Sequence, residues 1–148
     1  MLVYAAGDTA ASLILSQFML SRLAGMMLVG GCVYALEIPR YFRFIQRRTA
    51  GMGGLSASLA RTGFALLYFN PLWIARHLLF IAVFSFEWRA VSPELLRLGL
   101  LSFTVNIPVT FAANYSIQNR ISLEWRFLAS AVFSSLMAVY YALSRVLF

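Results

Sequence analysis

The feature that most constrains this chain is the length of its uninterrupted apolar stretches. Five stand out, over residues 2–20, 23–39, 62–86, 98–118 and 127–143. A helix needs about 20 mostly apolar residues to cross a hydrocarbon core of roughly 30 Å. Backbone groups in lipid must be bonded within the segment or by closing a barrel. These runs are continuous rather than alternating over about ten residues, so they predict helices and not barrel strands. Little sequence lies between them. The expected fold is all-α: one integral membrane domain over residues 1–148, a polytopic bundle of four or five transmembrane helices with one short basic interfacial helix.

Composition supports the same class. Charged residues make up 11% of the chain, less than half of the roughly 25% usual in soluble domains. With 61% hydrophobic residues, a soluble, disordered or disulfide-framed protein is excluded. Cys32 is the single cysteine, so no intrachain disulfide can form, and in an apolar run it reads as a small packing residue. The N-terminus lacks the charged start of a secretory signal and the early arginines of a mitochondrial presequence.

The first two stretches are separated only by Ser21 and Arg22. One helix from Leu2 to Phe44 would be about 65 Å long, twice the bilayer core. A tight hairpin breaking between Leu20 and Gly25 is therefore expected, or a first segment that does not fully cross. Pro39 closes the second stretch, and Arg40, Arg43 and Arg47 follow on one helical face, with Arg48 beside them. Interleaved with Tyr41, Phe42, Phe44 and Ile45, they resemble an interfacial helix on anionic headgroups, and equally a flank that fixes topology. Asn70-Pro71 should kink the third stretch. Ser92-Pro93-Glu94 reads as the start of the next helix. Trp125 is an expected interfacial anchor.

The net charge is +7, and all 12 basic residues are arginine. If all five stretches cross, Arg40, Arg43, Arg47, Arg48, Arg61, Arg120 and Arg126 share one side, and Arg22, Arg89, Arg97 and Arg145 share the other. The richer side is expected to be cytoplasmic or matrix-facing, together with the N-terminus. Arginines at helix ends favour anionic lipid over nucleic acid as a partner.

Polar residues at membrane depth are the candidate site residues: Asp8, Gln17, Glu37, Asn70, Arg76, His77, Asn106 and Asn114. An ionisable group there is costly and usually faces a partner or water. Asp8 and Glu37 are the carboxylates of the first three stretches, so Arg76 is expected to pair with one of them; Glu37 has Arg40 as another partner. Such groups serve either as structural glue between helices or as the lining of a solute path. Gly7xxxAla11 and Ser130xxxSer134 are small-residue patterns that let helices approach closely. His77 is the only histidine. No paired-histidine metal motif, cysteine pair, phosphate loop or marked nucleophile is present, which points away from an enzyme.

Several short motifs fall in a recognisable order: Gly7-Asp8, Arg22, Pro39 before Tyr41-Phe42, Phe69-Asn70-Pro71, Pro108 with Asn114-Tyr115, and Tyr141-Ala142-Leu143-Ser144. This order resembles the Mpv-type family of peroxisomal and mitochondrial inner-membrane proteins. Ile107 and Phe111 stand where that family has Trp and Gln. The resemblance implies a small organellar channel or a membrane-homeostasis protein. Ala75-Arg76-His77-Leu78 is similar to a short motif of succinate dehydrogenase membrane anchors, which would imply haem on His77 with a ligand from a partner subunit.

Three functions follow as expectations. The first is a non-catalytic accessory subunit of a larger complex, respiratory or other, in a mitochondrial or bacterial inner membrane, with no cofactor. The second is a small pore, as a homo-oligomer, lined by Asp8, Gln17, Arg76, His77 and Asn114. The third is a haem- or quinone-associated anchor using His77.

Overall fold

The structure, a computed structural model, describes the backbone of residues 2–147 and the side chains of residues 2–140. The side chains of Arg145 and of the motif at 141–144 lie outside that range. Among the described residues every regular element is helical: α1 (Leu2–Ile14), α2 (Leu20–Leu28), a π-helical segment (Val29–Tyr34), α3 (Ala35–Arg48), α4 (Gly54–Tyr68), α5 (Pro71–Phe84), a 3-10 turn (Trp88–Ala90), α6 (Glu94–Arg120) and α7 (Arg126–Leu147). Three helical units are long and apolar enough to cross a bilayer: Leu20–Arg48, Gly54–Phe84 and Glu94–Arg120. At 13 residues, α1 rises only about 20 Å, too short to cross a full core alone.

The hairpin expected between Leu20 and Gly25 breaks earlier, over residues 15–19. Ser16 adopts φ 55°, and the Gln17 amide bonds back to the Ser12 carbonyl at 2.8 Å, closing the turn. A positive φ at a serine is uncommon and marks a sharp change of direction.

The basic stretch is not a separate interfacial helix. It is the last part of α3, continuous with α2 through the π-helical segment. Buried positions recur every four residues here: Arg22, Met26, Gly30, Tyr34, Ile38 and Phe42. From Met26 to Phe42 a straight α-helix would swing that stripe by roughly 160°. The wider turn at Val29–Tyr34 absorbs much of this drift, so one stripe stays on the core. Met26, Tyr34, Ile38, Phe42 and the neighbouring Ile45 are the most buried side chains of this helix.

That central helix is surrounded by α1, α4, α5 and α7. Its core cluster joins Tyr4, Val29, Tyr34, Ile38, Phe42, Ile45, Ala65, Phe69 and Ala131. The Tyr4 ring lies tilted against Phe127, with centroids 6.3 Å apart, while Gly7 meets Ser135, so α1 and α7 run parallel. A Cβ on Gly7 would lie 2.5 Å from the Ser135 Cα. Only glycine allows this approach, and Ser135 Oγ then donates to the Val3 carbonyl at 2.8 Å. Of the small residues expected to let helices approach, Gly7 lies in this contact, and Gly7, Ala11 and Ser130 are buried.

Asn70-Pro71 does more than kink a helix. Asn70 ends one unit and caps the next, its Oδ1 accepting the Trp73 amide at 3.0 Å, with Pro71 at the first helical position. Gly99 of α6 then packs against the α5 start, where an added Cβ would lie 2.5 Å from the Pro71 carbonyl. Ser92 accepts the Glu94 amide at 3.3 Å, and α6 begins at Glu94, one residue after the proline.

Helix directions put the turns at 49–53 and 121–125 at one end of the bundle. Arg126 reaching Gln46 at 3.0 Å ties these turns together. The break at 15–19 and the link at 85–93 lie at the opposite end.

Candidate functional site

Three polar arrangements lie within or beside the apolar bundle. The first joins α1 to α2. Arg22 Nε donates to Asp8 Oδ2 at 2.8 Å and Nη2 donates to Oδ1 at 2.6 Å. Their side chains are only 10% and 5% exposed. The fork of a guanidinium matches both carboxylate oxygens at once, which suits arginine and not lysine here. Asp8 was a candidate partner for Arg76; instead it takes Arg22, whose charge is consumed in the interior and drops out of the topology count.

The second joins α3 to α5. Arg76 Nη1 donates to Glu37 Oε1 at 3.1 Å, and Nη2 lies 3.0 Å from Oε2. Of the two carboxylates expected as partners of Arg76, Glu37 and not Asp8 takes it, and Glu37 turns to Arg76 and not to Arg40. This pair is about one third exposed on both sides. Beside it, the Tyr34 hydroxyl and His77 Nδ1 are 3.0 Å apart. His77 stacks on Trp73 at 5.6 Å and 8°, and the Arg76 guanidinium sits 5.7 Å from the Tyr34 ring centre. Tyr34 therefore links the ion pair to the histidine through one aromatic ring.

The third arrangement was not anticipated by the sequence. Arg126, at the start of α7, donates to the Ile121 carbonyl and to Gln46, each at 3.0 Å, and to the buried Gln118 at 3.4 Å. Neighbouring Asn119 reaches the Ser58 carbonyl at 3.3 Å. This node fastens α3, α4, α6 and α7 at the end that carries most of the arginines. Its only sequence signal was a run of amides closing α6 before an arginine.

The remaining candidates do not converge. Gln17 is exposed in the break. Asn106 and Asn114 each donate to the carbonyl four residues earlier on α6, Ser102 and Thr110, at 2.9 Å. None of the five pore candidates, Asp8, Gln17, Arg76, His77 and Asn114, lines either of the two clefts found along α3. Cys32, expected to be a packing residue, is exposed on the outer face, because the π-helical turn directs Tyr34 inward two positions later.

Both clefts run along the outer face of α3, the larger one extending onto the π-helical segment and to Tyr68 of α4. One, of about 620 Å³, is lined by Cys32, Val33, Leu36, Glu37, Arg40, Tyr41, Phe44 and Tyr68. The other, of about 300 Å³, is lined by Arg40, Arg43, Phe44 and Arg47. The structure thus gathers three of the expected lipid-binding arginines into one hollow. Arg48 turns aside, 5.6 Å over the Phe44 ring. Among the described residues, no group of three or more His, Cys, Asp or Glu is arranged to hold a metal. Compared with known proteins, the chain matches no family model, no curated protein and no solved structure.

Proposed function

We propose that this chain is a non-catalytic, multi-pass membrane protein that serves as an accessory subunit of a larger inner-membrane assembly, mitochondrial or bacterial. The observation that carries this reading is the pairing of its interior polar groups with one another: Asp8 with Arg22, Glu37 with Arg76, Tyr34 with His77. Groups so engaged glue helices together and offer no continuous lining for a solute. The basic end, with Arg40, Arg43 and Arg47 exposed, faces the cytoplasm or matrix under the positive-inside rule. The test is native mass spectrometry of the gently extracted protein. Copurifying foreign subunits are expected; a lone chain or a pure homo-oligomer overturns the reading.

A second reading is a small channel of the Mpv type, in keeping with the sequence resemblance. One observation favours it: Glu37, one third exposed and paired with Arg76, lines the larger cleft. Solute flux into liposomes that is lost in Arg76→Ala would favour this reading over the first. The haem-anchor reading is tested by the visible spectrum of the purified protein, where a Soret band lost in His77→Phe would support it.

A further inference from the structure

The two clefts on α3 share Arg40 and Phe44, so they form one continuous trough. Its inner part is walled by Cys32, Val33 and Leu36, its outer part by guanidinium groups, and Tyr41, Tyr68 and Glu37, the last held by Arg76, complete the lining. From Cys32 to Arg43 the helix rises about 16 Å. That is close to half of the roughly 30 Å hydrocarbon core, the depth of a single leaflet. The polarity therefore changes along the trough as it changes along one lipid molecule.

The charge is unmatched from within. Arg40, Arg43 and Arg47 are exposed, and among the described residues none has a carboxylate within ion-pair distance. A guanidinium fork suits a phosphate oxygen pair. We propose that the trough is a seat for one anionic phospholipid. Its phosphate sits among Arg40, Arg43 and Arg47, and an acyl chain lies along Leu36, Val33 and Cys32 toward the bilayer centre. This goes beyond a general attraction of basic residues to a charged surface, because the apolar half of the trough also contributes to binding. It is independent of the accessory-subunit reading, and its failure would leave that reading untouched.

The experiment uses the full chain, delipidated in detergent and titrated with phosphatidylglycerol or with phosphatidylcholine of the same acyl chains, with native mass spectrometry as the readout. Phosphatidylglycerol is expected to bind preferentially. The preference should fall by about fivefold for each arginine removed in Arg40→Gln, Arg43→Gln and Arg47→Gln, the effect of one arginine near an anionic surface. Leu36→Trp, which fills the apolar trough and leaves every charge in place, should weaken phosphatidylglycerol binding, and Val33→Trp should do the same. These side chains are all exposed, so an unchanged unfolding midpoint is the control for folding. Equal binding of the two lipids overturns the proposal, as does a preference that survives the triple arginine variant. Binding untouched by both tryptophan variants, or displacement by free glycerol 3-phosphate at equal concentration, also overturns it, since either leaves only headgroup contact.

Discussion

Arg22 holds Asp8 through both carboxylate oxygens, 14 residues apart in the chain and on opposite sides of a helix break. The contact is almost closed to the outside, and it fixes how a short first helix lies against the central one. Removing one partner leaves a buried charge without compensation. Asp8→Ala should therefore cost about 3–5 kcal/mol, read as the unfolding midpoint in detergent. Arg22→Lys should recover only part of the pair, because an ammonium cannot fork. A loss below about 1 kcal/mol in Asp8→Ala would mean that water reaches the pair.

Glu37 and Arg76 make a longer contact, 3.0 to 3.1 Å, in a different setting. Each side chain is about one third exposed, so solvent or headgroups can take over for a missing partner. Glu37→Gln is expected to cost clearly less than Asp8→Ala, on the order of 1 kcal/mol. Equal losses in the two variants would show that the second pair is as sealed as the first.

Gly7 and Ser135 define the closest approach of α1 to α7. A valine at position 7 has no room, and overpacking of this kind costs about 1–3 kcal/mol. Ser135→Ala keeps the approach and loses the hydrogen bond to the Val3 carbonyl, a loss of about 0.6 kcal/mol by the average for interhelical bonds in membranes. The order of these two effects in thermal unfolding is the check. A larger effect from Ser135→Ala would place the weight on the hydrogen bond and not on packing.

Tyr34→Phe removes a hydroxyl 3.0 Å from His77 while keeping the stacked ring. A loss of about 1 kcal/mol is expected. Tyr34→Leu should cost more, since Tyr34 contacts the rings of Tyr4, Trp73 and Phe80 as well. If Tyr34→Phe and Tyr34→Leu are alike, the aromatic contacts contribute little.

Cys32 reports on the membrane directly. It is the sole cysteine and it is exposed, on a helix long and apolar enough to cross a bilayer. In intact membranes it should react with a lipid-soluble maleimide and resist a membrane-impermeant one, then become reactive to both in denaturing detergent. Rapid labelling by the impermeant reagent would place this face in water.

Much of the architecture was legible because hydrophobic length is a one-dimensional property. The apolar runs marked the helices, Asn70-Pro71 marked the junction of α4 with α5, and Ser92-Pro93-Glu94 marked the start of α6 to within a residue. The small residues at Gly7, Ala11 and Ser130 foretold a close contact, though not its partners. The hairpin was placed several residues too late because no glycine or proline marks it; a serine in a left-handed conformation makes the turn. The one-face spacing of Arg40, Arg43 and Arg47 after Pro39 suggests a separate basic helix, yet the backbone runs through that proline to Arg48.

The sequence by itself determined that this chain is helical and apolar enough for a bilayer, and that its free positive charge collects at one end. Those properties depend on residue type and spacing along the chain. The tertiary structure decided which charges remain free. Arg22, counted with the loops, is drawn inside by Asp8; Glu37 takes Arg76 and not Arg40, three residues away; Arg126 is absorbed by Gln46 and Gln118. Arg40, Arg43 and Arg47 are left facing outward beside an apolar trough. Ion pairing in an apolar interior depends on distances of a few ångströms between helices far apart in sequence, and these are set by the π-helical turn at Val29–Tyr34 and the close contact at Gly7. Neither distance is encoded by periodicity, so both emerge only when the helices pack.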